Sequence, residues 1–180
     1  MPSEFQGKPF EGERVVVRSR RPFDDVLKSL RQSMGQATVA DINALAQEPM
    51  SEDAFSALVQ ERYVGPSGFV LFAEIDHGKW LPKFGLHQRV VRLILGNPLY
   101  AITMIRHDIT AGLFAPVELL VVEEKDQSGS SLTYVRPSSL MVIEPNAPLL
   151  EAAQALDVKL SALVANVTEA AASTSQGARQ

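Results

Sequence analysis

The chain has 180 residues and a formal charge of −4, with 17 lysines and arginines set against 21 aspartates and glutamates, and it contains no cysteine. That length suits one domain, and a domain near this size buries roughly 68–70% of its unfolded surface, so the fold needs neither disulfide nor metal. The missing cysteine excludes a disulfide framework, a thiolate nucleophile and any cysteine-ligated zinc or iron–sulfur centre, and the net negative charge opposes nucleic acid as a partner.

Met1 to Gly7 has neither the basic start nor the apolar core of a signal peptide, and no uncharged run approaches the ~20 residues of a membrane span. A cytoplasmic protein without a membrane segment is expected. Residues 1–12 show little periodicity and read as a loose lead-in. Arg14 to Ser19 is the first strand, with Arg14, Arg18 and Arg20 on one face and Val15 and Val17 on the other. With Arg21 the arginines make a basic stripe, read as a solvated sheet face in preference to an anion or partner contact. Pro22 suits a first helical position. Phe23, Val26, Leu27, Leu30 and Met34 then recur at helical spacing, and Gly35 ends that helix.

Residues 38–63 read as two short helices, the first opened by a capping box of Thr38 and Asp41, the second capped by Ser51 and burying Phe55, Leu58 and Val59. Phe69 to Ile75 is a nearly unbroken apolar run, expected of a central strand covered on both faces. Arg89 to Leu95 is a third strand, alternating imperfectly. Pro98 to Arg106 reads as a helix and Asp108 to Gly112 as a turn. Val117 to Glu123 and Leu132 to Arg136 form a hairpin across the polar loop from Lys125 to Ser130. In the last segment, Leu149, Ala153, Leu156, Leu160, Leu163 and Val167 make a heptad-like stripe, read as a helix over 147–171 lying on the sheet rather than as a coiled-coil seam. Residues 172–180 read as a disordered tail.

The order is β-α-(α-α)-β-α-β-α-β-β-α. It predicts a single α+β domain over 1–171, built on a mixed sheet of about five strands with covering helices. Along this order lie Ile75-Asp76-His77 and Gly96-Asn97-Pro98 at strand ends, then Thr103-Met104, Pro116 before an apolar strand, and Tyr134 to Pro137. In those motifs the chain resembles the domain-of-unknown-function 302 family, over roughly residues 12–145. Two features depart from the family pattern. Segment 38–63 looks like a helical insertion, and Val135-Arg136 stands where an Asn-Asp-type pair is more usual. The resemblance implies a small α+β fold that self-associates, here as a homodimer, and it implies no reaction.

Chemically, Asn97 before Pro98 is an N-cap and N1 pair in the structural reading, or the mouth of a helix N-terminus open to an anion or carbonyl in the functional one. His77 follows Asp76 at a strand end, where it is either a hydrogen-bonded structural residue or a general acid or base. Neighbours on a strand point to opposite faces, so Asp76 is a poor dyad partner for it. His77, His87 and His107 stand on separate segments with no metal-ligand spacing. Met104 reads as core filler before it reads as a haem or copper ligand, and no cofactor is expected. No Gly-x-Ser-x-Gly elbow or phosphate-binding glycine loop is present.

A binding or interaction module that self-associates is the preferred reading, with a small-molecule pocket near His77, Asn97, Met104 and Tyr134. An enzyme using His77 on a small substrate and a purely structural scaffold are the alternatives. A shared pocket requires His77 and Asn97 to lie within roughly 10 Å, which the tendency of consecutive strands to neighbour each other favours.

Overall fold

In the computed structural model, which describes residues 7–169, the alternation at the first strand is realised as β1 (Arg14–Ser19). Arg14, Val16 and Arg18 are exposed while Val15, Val17 and Ser19 are half-buried. α1 (Phe23–Ser33) buries Phe23, Val26, Leu27 and Leu30. Pro22 sits one place earlier than expected, as the N-cap. After Met34 the chain does not simply turn. Gly35–Gln36 form β2, a two-residue strand, with the Gly35 N–H donating to the Phe69 carbonyl at 3.0 Å.

The capping box at Thr38 and Asp41 is present and opens α2 (Val39–Gln47), of which only Leu45 is fully buried. Ser51 caps α3 (Glu52–Arg62). There only Val59 is buried, and Phe55 and Leu58 are half-buried rather than buried as expected. β3 (Val70–Asp76) corrects a second expectation. Val70 and Leu71 are buried, but Ala73, Glu74 and Ile75 are exposed. The physical reason is that β2 accompanies β3 only as far as Leu71, so the rest of β3 is an edge.

β4 (Val90–Gly96) alternates cleanly, with Val91, Leu93 and Leu95 buried. It leads into α4 (Pro98–Ile105), a 3-10 segment at Ile109–Phe114, and the hairpin of β5 (Val117–Glu123) and β6 (Ser130–Val135). α5 (Pro137–Met141) replaces the expected strand end and precedes α6 (Ala147–Thr168). The sheet therefore has six strands in the order β1-β6-β5-β4-β3-β2, one more than expected. β2 and β3 are parallel and every other pair is antiparallel, which makes this a mixed-sheet α+β fold.

α6 decides how the layers stack. Its stripe from Leu149 to Val167 is buried against the chain's own core, so it cannot also serve as a coiled-coil seam. Two polar devices fix the helix. The Asp157 carboxylate, 6% exposed, accepts from the Ser138 N–H at 3.0 Å and its hydroxyl at 2.6 Å, tying α5 to α6. At the other end, the Arg21 guanidinium donates to the Val167 carbonyl at 2.6 Å and the Ser19 hydroxyl donates to the Thr168 carbonyl at 2.7 Å. A cation on the last carbonyls suits the negative end of the helix dipole. Arg21 thus leaves the basic stripe for a structural post.

With α1 and α6 on one face, the other sheet face is open. Register places Val16, Thr133, Leu120, Arg92 and Ile75 in one row across five strands. Val16 is 51% and Ile75 40% exposed. Among the described residues no helix is long and apolar enough to cross a membrane. Residues 170 and 171 of the expected C-terminal helix, and the tail at 172–180, lie outside the described residues.

Candidate functional site

The end of the sheet where β4 stops is where the chain builds a cavity. Gly96 is buried, and a Cβ there would lie 3.1 Å from the Pro116 Cβ and 3.4 Å from the Phe72 ring. Only glycine lets those two groups close together at the strand end. Above them stand Ala101 and Met104 on α4, Leu156 on α6 and, as the outer wall, Val39 and Ile42 on α2. The half-open space is about 180 Å³. Among the described residues no aspartate, glutamate, lysine, arginine or histidine lines it.

Asn97 lies at this wall, 5% exposed. Its side-chain oxygen accepts from the Leu99 N–H at 2.8 Å, and its amide nitrogen donates to the Gly68 carbonyl at 2.9 Å. The N-cap reading is therefore correct but incomplete. The same side chain also pins the turn before β3 to the start of α4. Met104 is 1% exposed and packs both in the core and on the pocket wall.

Two of the four expected site residues are thus brought together. Tyr134 lies on β6 in the middle of the sheet, in the row of Leu119 and Leu93, paired with Val15 and buried in the core. Burial pushes its phenol above the usual tyrosine range. It does not line the Asn97 pocket. His77 is not at this end at all. β3 and β4 are antiparallel, with Val70 opposite Gly96 and Asp76 opposite Val91. At 3.2–3.4 Å per residue this sets His77 roughly 20 Å along the sheet from Asn97, so the expected separation of roughly 10 Å is wrong and the four residues share no single site. Adjacency of β3 and β4 was the right inference, but antiparallel pairing sends consecutive strand ends to opposite ends of the sheet. His77 instead stacks edge-on against Trp80 with centroids 5.5 Å apart, and Trp80 does the same to Phe84 at 6.0 Å.

Phe72, Ala101 and Leu156 were invisible as site residues because apolar positions on a strand or helix read as core. Gly96, Pro98 and Pro116 carried a usable signal, since they belong to the ordered set of motifs. Among the described residues no three histidines, aspartates or glutamates converge as metal ligands.

The family model of the domain of unknown function DUF302 matches residues 44–167. The chain belongs to the DUF302 family. The matched span runs later than the 12–145 expected from the motifs. It takes in α3 and nearly all of α6, and the pocket's lining other than Val39, Ile42 and Asn43 falls inside it. The DUF302 fold is also seen in a solved structure, "Crystal structure of uncharacterized conserved protein DUF302 from Bacillus stearothermophilus". The two chains are 18% identical, with a TM-score of 0.60 over 87% of this chain and 98% of the other. At that identity the likeness is one of fold. No curated protein matches the chain.

Proposed function

We propose that this DUF302 chain is a cytoplasmic homodimeric domain that binds a small molecule in the pocket beside Asn97 and Met104. One observation carries the reading. The space between Gly96, Pro116, α2 and α4 is a half-open, almost wholly apolar concavity with the Asn97, Asn43 and Tyr100 polar groups on its wall. Concave apolar pockets of this kind are the default ligand sites of small domains. Native mass spectrometry of the purified protein tests it. A retained molecule that disappears in Ala101→Leu, with the fold intact by circular dichroism, supports the pocket. A retained molecule indifferent to that change refutes it.

Self-association rests on a separate observation, the open sheet face. Val16 and Ile75 stand exposed and Leu120 half-buried in one row, with the Arg92–Glu118 ion pair beside them. A two-fold dimer sets one patch against itself, and a face carrying both signs of charge is suited to that. Leu120→Lys is expected to give a folded monomer in sedimentation velocity, and a monomeric wild type at micromolar concentration would refute the dimer.

The enzyme alternative at His77 gains nothing from this arrangement. A substrate held by the pocket is out of reach of an imidazole at the other end of β3, and general catalysis needs hydrogen-bond reach.

A further inference from the structure

We infer that the ligand of the Asn97 pocket is a small uncharged molecule, one apolar ring or its aliphatic equivalent in size, with a single polar group directed at Asn43. The inference rests on the proposal that this pocket is a ligand site, and it names the chemical class. Three observations carry it.

The first is size. About 180 Å³ is close to the ~150 Å³ apolar cavity that holds benzene in an engineered protein, and well under the roughly 300–1,000 Å³ of drug-sized sites. The half-open space holds one ring, and a nucleotide, a haem or a peptide segment would leave most of its surface outside it. The second is charge. Among the described residues no aspartate, glutamate, lysine, arginine or histidine lines the space, and the titratable side chain on its wall is the Tyr100 phenol. A carboxylate or phosphate held against the apolar lining, away from the exposed Asn43 side, would lose much of its water with no counter-charge to replace it. Burying an unpaired ion costs far more than a single hydrogen bond returns.

The third is the account of polar groups. Asn97 and Tyr100 also line the pocket. One bond at each end of the Asn97 amide, to Leu99 and to Gly68, fixes its orientation, and the Tyr100 hydroxyl stands against Gly68. Asn43 differs. It sits on α2, lines the same pocket, is solvent-exposed, and among the described residues its side chain makes no hydrogen bond. It offers one donor pair and one acceptor at the side where α2 forms the outer wall. A hydroxyl, carbonyl or amide on the ligand could use it while the ring fills the space against Phe72, Met104 and Pro116.

Toluene, benzyl alcohol and benzoate have the same ring and separate these terms. Titrated into the full-length chain by calorimetry, toluene and benzyl alcohol should bind, and benzoate should bind at least about ten-fold more weakly, which is ~1.4 kcal/mol. Asn43→Ala, at an exposed helix position, should weaken benzyl alcohol and leave toluene unchanged. Ala101→Leu should abolish both. Benzoate binding as tightly as toluene would overturn the assignment of class, as would Asn43→Ala weakening all probes alike. The two layers of the argument fail differently. If a charged molecule is retained by the purified protein and lost in Ala101→Leu, the pocket stands and the class falls. If no probe binds and nothing retained responds to Ala101→Leu, the pocket itself is not a ligand site.

Discussion

The Asn97 amide nitrogen lies 2.9 Å from the Gly68 carbonyl oxygen, so one side chain joins the turn before β3 to the first turn of α4. This makes Asn97 more than a cap. Asn97→Ala removes the N-cap bond, at about 1 kcal/mol, and leaves a partly buried carbonyl without its donor, at about 1–3 kcal/mol. We expect a total loss of about 2–4 kcal/mol in a urea melt. A loss below ~1 kcal/mol would mean that the Gly68 bond contributes nothing.

Gly68 is held at φ +83°, and a Cβ there would lie 2.1 Å from the Tyr100 hydroxyl oxygen. Gly68→Ala combines left-handed backbone strain with that clash, and should destabilise by about 1–3 kcal/mol. Removing the hydroxyl by Tyr100→Phe relieves the clash but not the backbone term. The double variant should therefore be more stable than the sum of the single effects, and strict additivity would contradict the contact.

The Arg31 guanidinium holds Glu74 with two bonds of 2.8 and 2.6 Å and lowers its carboxyl below the ordinary value of 4.5. A depressed folded value means that the pair's stabilisation is complete above the unfolded value and is lost as pH falls through the lower folded one. Arg31 is half-exposed, so solvent screening keeps the effect to about 0.5 kcal/mol. Glu74→Gln should melt earlier than wild type at pH 7 and the gap should close in acid. A gap that persists at pH 2–3 would show that charge is not its cause.

Leu156 and Leu163 are 5% and 2% exposed. Leu156→Lys with Leu163→Lys should unfold the chain, because two charges are forced into the core under the sheet. A folded monomer from this variant would contradict the placement of α6.

Long, strongly periodic elements were legible in the sequence. The spacing of α1 and α6 and the alternation of β4 each describe one buried face, and each forms as read. β2 was not legible, since two residues carry no period. Its shortness also explains β3, whose apolar run at Phe69 to Ile75 reads as doubly covered but has lost its neighbour by Ala73. For the site, the motifs located Asn97, Met104 and Pro116 as a group but could not say which strand ends meet. Strand direction alone separated His77 from them. Tyr134 falls in the row of Leu119 and Leu93, and alternation on β6 turns it into the core.

The central claim, that a small apolar ligand enters beside Met104, is tested most directly at that side chain. Met104 is the methionine that lines the pocket, while Met34 and Met141 are buried in the core away from it. With methyl-labelled methionine and titrated toluene, the Met104 methyl resonance should shift saturably while those of Met34 and Met141 stay nearly fixed, and Ala101→Leu should abolish the shift. A saturable response at Met34 or Met141 with Met104 unmoved, or no response at any of them, would contradict the account.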